Sequence, residues 1–197
     1  MMRRRKPKQH AKRVNYALIP KDSVAGRPMY KMLNELIEKH HEELTNARFA
    51  LAWNRAWKPD ADGRVTLGKC KKASDLDKEL AAYDFVIILQ AEFFQSGDVT
   101  EAQRRALLDH ELTHATIRVD KDAEPVVDER GRTQYRIRKH DIEEFEGVIR
   151  RNGVYKRDLE TFAKTILGLN AKQLKLPRAG DDKAAEEKPP KTAEARA

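Results

Sequence analysis

Hydrophobic positions recur along this chain in two periods, and the switches between them mark its elements. Leu33, Leu36, Ile37, His40 and Leu44 stand three and four apart, so residues 28–46 predict an amphipathic helix. Phe49, Leu51 and Trp53 then alternate with small alanines, which predicts a strand over 49–53. KPDADG, residues 58–63, is turn chemistry, followed by a short strand at 65–67 and a polar helix over 74–82. DFVIILQ, residues 84–90, is a continuous run rich in β-branched side chains and predicts a buried strand.

Thr100 and Gln103 form a T-x-x-Q capping box, in which each side chain satisfies a backbone N–H of the other. The helix they open is expected to run to about Ile117. Around Gly131, residues 126–138 predict a hairpin, with Tyr135 and Ile137 alternating in its second arm. Asp141 is placed to cap a helix with Ile142, Phe145, Val148 and Ile149 on its apolar side and Gly153 at its end. A last helix over 155–169 is expected to bury Leu159, Phe162, Ile166 and Leu167. Helix, strands, capped helix, hairpin and two helices in that order make an α+β architecture.

With 197 residues and 40% of them hydrophobic, the chain supports one core rather than two. The fold is expected over residues 15–170, between a basic disordered arm at 1–14 and a disordered tail at 171–197 rich in Pro, Ala and charge. The net charge of +8 lies in those ends. Residues 1–13 hold seven Lys/Arg and no acid, and residues 171–197 hold seven against five, which leaves −1 for residues 14–170. A nucleic-acid contact is therefore expected only as weak binding through the N-terminal arm. Cys70 is the single cysteine, so no internal disulfide forms. No run approaches the roughly 18 apolar residues needed to span a bilayer. A soluble protein of a reducing cytoplasm is the expectation.

Chemistry enters at His110-Glu111-Leu112-Thr113-His114. Two histidines four residues apart project from one helical face, so both imidazoles reach one zinc ion. Glu111 lies beside that face, placed as the base that takes a proton from a metal-bound water during attack on a peptide carbonyl. Leu108, Leu112 and Ala115 are available to anchor the helix in the core. A catalytic zinc needs a third protein ligand, and the candidates cluster downstream as His140, Glu143 and Glu144. A structural zinc site would ordinarily carry four ligands including cysteines, so the count favours catalysis over a non-catalytic zinc-binding or nucleic-acid-associated protein.

LLDHELTHA followed by KHDIEEFEGVIRRNGVY, with YDFVIIL before it, resembles the putative phage metallopeptidase family over most of residues 28–156. More distantly it is similar to SprT-like small zincins. The resemblance implies a small zincin-like domain with the HExxH helix packed on a short β-sheet. It implies His110, His114 and His140 as zinc ligands, Glu111 as base, a protein or peptide substrate, and a phage-encoded enzyme in the bacterial host cytoplasm.

Other residues that invite a functional role read better as structure. His40 falls on the apolar stripe of its helix, and His40-His41-Glu42-Glu43 has no second histidine at metal-binding spacing. Asp109 points about 100° away from His110 and reads as helix surface. Trp53, Trp57, Phe93 and Phe94 read as core rather than as a substrate groove. Tyr135, Arg136, Arg138 and Tyr155 stand open as oxyanion donors.

Overall fold

The computed structural model describes residues 15–143, 146–154 and 157–169. The N-terminal arm, the C-terminal tail, Glu144, Phe145 and Tyr155 lie outside the described residues, as does the side chain of Val148.

A four-stranded sheet forms the centre, in the order β1, β2, β4, β3. Its strands are β1 (Tyr16–Leu18), β2 (Phe49–Asn54), β3 (Gly68–Lys72) and β4 (Phe85–Gln90). β2 and β4 run parallel with Phe49 opposite Phe85 and Leu51 opposite Ile87, while β1 and β3 are antiparallel to their neighbours. Phe49, Leu51, Trp53, Phe85, Ile87 and Leu89 alternate along the two central strands and therefore share one face. They join one core cluster with Met29, Met32, Leu33, Leu36 and Ile37 of helix α1 (Gly26–His40) and with Leu108 and Leu112 of helix α4 (Glu101–Thr113). Both long helices thus cover the same side of the sheet. At about 25 cal/mol per Å² of apolar surface removed from water, each fully buried Leu or Ile contributes roughly 1.5–3 kcal/mol. The Tyr30 hydroxyl adds a tie between layers by accepting the Leu51 N–H at 3.0 Å.

Between the long helices lie α2 (Asp75–Ala81), closed by a Ser74–Asp77 capping box, and the one-turn α3 (Ala91–Gln95). A second, two-stranded sheet pairs β5 (Ala115–Ile117) with β6 (Tyr135–Ile137). Helices α5 (Glu146–Asn152) and α6 (Arg157–Leu167) follow. None of the helices among the described residues is long and apolar enough to cross a membrane.

Several expectations are corrected here. α1 stops at His40, and a 3-10 turn over Glu42–Leu44 carries Leu44 into the core. His40 is exposed, and His41 is the buried one, its Nε2 lying 2.7 Å from Asp109 Oδ1. Asp109 is therefore tied to a buried partner rather than simply solvated. The third strand runs over 68–72 and not 65–67, set by its pairing with β4 while three exposed lysines and a single buried Cys70 hide it from the hydrophobic pattern. α4 ends at Thr113, four residues early, since β-branched Thr116 and Ile117 enter β5. The 126–138 hairpin is short, with an isolated bridge between Val127 and Thr133, and the second arm takes β5 as its main partner. Asp141 caps no helix, since α5 begins at Glu146; its carboxylate pairs with Arg138 at 2.6 Å. Gly153 does end α5, at φ +69°. On α6 only Leu159 is buried, while Phe162 is 51% and Leu167 83% exposed.

Candidate metal centre

His110 and His114 come from the last turn and the C-cap of α4, a helix fixed at its start by the Thr100–Gln103 capping box and along its length by fully buried Leu108 and Leu112. His140 arrives from the segment after β6. Its delivery depends on a double tie between the end of α4 and the end of β6. The Arg138 N–H donates to the His114 carbonyl at 2.7 Å, and His114 Nδ1 lies 2.8 Å from the Arg138 carbonyl. Two residues beyond that staple, His140 meets the α4 pair.

The three imidazoles offer nitrogens that all lie within 4.8 Å of one another, and such a group could hold a metal ion. Ring centroids are 5.0, 5.0 and 4.5 Å apart. His110 Nε2 and His140 Nε2 are separated by 3.2 Å. Two nitrogens each about 2.0–2.1 Å from one tetrahedral zinc stand about 3.3 Å apart, so this pair has the spacing of two ligands on one ion. The His114 Nδ1 contact to a carbonyl leaves Nε2 as that ring's free lone pair, the usual arrangement of a ligating histidine. Partial desolvation, then the neighbouring His114 and His140, hold the pKa of His110 below the ordinary imidazole value. That favours the neutral ring, which is the form that ligates.

Glu111 lines the same cleft as the three histidines and is 2% exposed. Its Oε2 is buried without a hydrogen-bond partner among the described residues. Burial raises the carboxyl pKa, against the opposing influences of His114 and the Cys70 amide. That cleft, of about 610 Å³, is lined by Gly68 and Cys70 of β3, Ile137 and Arg138 at the end of β6, and the three histidines. Gly68 was not singled out from the sequence. A Cβ there would stand 2.3 Å from Glu111 Oε1, so any larger residue would push the carboxylate from this position. The one available signal was a glycine at a strand edge, which often marks a close approach.

Other candidates fall elsewhere. Glu143 is outside the cluster, 87% exposed, with Oε1 4.0 Å from His140 Nδ1. Tyr135 is in the core, edge-on to Phe85 at 5.2 Å, and Arg136 is exposed. Arg138 lines the cleft with its guanidinium held by Asp141. Trp53 and Phe94 pack together at 5.6 Å beside a separate cavity of about 560 Å³ that shares no residue with the histidine cluster.

Three convergent histidines that could hold a metal ion, with a buried carboxylate in the same cleft, thus stand on an α+β frame. The model of the putative phage metallopeptidase family matches residues 21–166, well over half of the chain. The chain belongs to that family. No curated protein and no solved structure matches it.

Proposed function

We propose that this protein is a zinc peptidase in which His110, His114 and His140 hold the metal and Glu111 carries the proton. The observation that supports this best is the arrival of His140, thirty residues downstream, 3.2 Å from His110 on the helix that also presents Glu111. Zinc, when bound by three histidines, lowers the pKa of a coordinated water to about 7 and polarises a carbonyl.

The chain supplies the rest. A peptide lies in the cleft between β3 and the end of β6, its scissile carbonyl beside the histidine cluster. Glu111 Oε2, buried and free of internal partners, takes the proton released on attack and returns it to the departing amine. Gly68 keeps room for that carboxylate. The His114–Arg138 staple holds one imidazole and the His140 segment in register. We assign the catalytic unit to residues 15–170 and place it in a reducing cytoplasm, consistent with a lone buried Cys70.

Elemental analysis and a casein-type assay test this together. Wild type should carry about one zinc per chain, and His110→Ala, His114→Ala and His140→Ala should each lose most of it. Glu111→Gln should keep zinc and fold while losing cleavage by at least a hundredfold, the usual scale of a missing general base. Full zinc in all three alanine variants would sink the metal assignment. Wild-type cleavage by Glu111→Gln would remove Glu111 as the base.

A further inference from the structure

The walls of the cleft carry a charge that the body of the protein does not. Residues 68–72 (GKCKK) and 135–139 (YRIRK) hold six cations and no acid, in a body of residues 14–170 whose net charge is −1. Among the residues lining the cleft, Lys69, Arg138 and Lys139 are cationic. Arg138 is held by Asp141 at 2.6 Å. The acids of the lining are Glu111, which is buried, and Glu143, which is 87% exposed and stands 4.0 Å from His140. Lys69 and Lys139 are exposed on opposite walls, with no ion-pair partner among the described residues.

We infer that the cleft selects extended peptide segments bearing acidic side chains on both sides of the bond to be cut, with Lys69 and Lys139 as the specificity-determining residues. This rests on the peptidase reading above and adds its substrate class. Lys69 and Lys139 both line the cleft that holds the histidines, so an extended peptide seated beside the metal centre meets an unpaired cation from each of the two segments. A nucleic acid is the less suitable occupant, because Ile137, Glu111 and Glu143 share the lining. A divalent metal at the histidines adds to the same positive field.

The probes are fluorescein-labelled decapeptides with Glu, Gln or Lys alternating with Ala around a central Phe-Leu, titrated by anisotropy onto full-length, zinc-loaded Glu111→Gln. Solvent-exposed ion pairs are worth a few-fold each, so the Glu peptide should bind about tenfold tighter than the Gln peptide at low salt, and the Lys peptide weakest. The advantage should shrink above about 0.1 M salt, where the screening length falls below about 10 Å. Lys69→Gln/Lys139→Gln should abolish the preference, and Lys69→Glu/Lys139→Glu should reverse it in favour of the Lys peptide. Both pairs are exposed, and an unchanged thermal melt confirms that the variants are folded. Equal affinity for the three peptides, or a preference that survives the double Gln variant, overturns the inference. Competition by oligothymidylate as strong as that of the Glu peptide, lost with the same two lysines, overturns the choice of a peptide. Equal cleavage of all three peptides by wild type sinks the acidic preference and leaves the peptidase. Lysine-dependent binding with no cleavage by wild type sinks the peptidase and leaves the acidic docking site.

Discussion

At Glu111, burial and chemistry act on the same atoms. A carboxylate 2% exposed, with one oxygen unpartnered, costs the fold a desolvation penalty that a packed apolar residue would not. Gly68 and Cys70 of β3 form the surface it packs against, and the thiol records the consequence. Burial first, and the nearby Glu111 second, push the Cys70 pKa from 9.0 up to about 12. The folded state thus disfavours the thiolate, so the contribution of Cys70 to stability is present below pH 9 and is lost as pH climbs from 9 toward 12. In native protein at pH 8, Cys70 should resist iodoacetamide and should react at the rate of a free thiol once urea unfolds the chain. Rapid native alkylation, followed by mass spectrometry, would show that the β3–α4 seam is open. The histidine pair and Glu111 were legible because HExxH fixes their geometry within one helical turn. Gly68 was not, since its role depends on a side chain forty-three residues away.

Among the elements, those specified by local chemistry were readable and those specified by pairing were not. β4, α2 and the cap of α4 follow from β-branched runs and capping boxes within a few residues. β3 is hidden because an outer strand with three lysines carries no hydrophobic alternation. The apparent core face of α6 misleads, because Phe162 and Ile166 repeat at helical spacing yet remain exposed. One device recurs three times unannounced. Asp60, Asp120 and Asp128 each accept backbone N–H groups two and four residues ahead on Oδ1, and each turn has a positive φ at its fourth residue. Gly63 and Gly131 fill that place in two of the turns, at φ +77° and +73°, and Ala123 fills it in the third at +65°. A left-handed conformation costs an L-residue roughly 1–2 kcal/mol, partly offset by the greater freedom glycine has when unfolded. Ala123→Gly should therefore stabilise the protein by about 1 kcal/mol, and Gly131→Ala should destabilise it by a similar amount, both measured by urea denaturation. Loss of stability in Ala123→Gly, or none in Gly131→Ala, would mean that the turns do not limit stability.

Across the whole molecule, the N-terminal arm and the walls of the cleft are two separate clusters of cations, and the two can be separated by deletion. Residues 1–13 contain seven Lys/Arg and no acid, so removing them takes the net charge from +8 to +1 while leaving Lys69, Lys71, Arg136 and Lys139 in place. If every arm cation neutralised a DNA phosphate, log affinity would fall against log salt with a slope of about −6, and the deletion would remove that dependence. Recognition of an acidic peptide by two lysines across the cleft draws on short-range pairs, and at physiological ionic strength the screening length is about 8 Å. The truncated protein should accordingly lose weak, sequence-independent DNA binding and keep the wild-type kcat/KM on a Glu-rich decapeptide within about twofold. Gel-shift titrations over a salt series, run beside the peptide assay on both proteins, separate the two charge sets. Parallel loss of both properties would mean that the arm, rather than the cleft, supplies the attraction for acidic substrates.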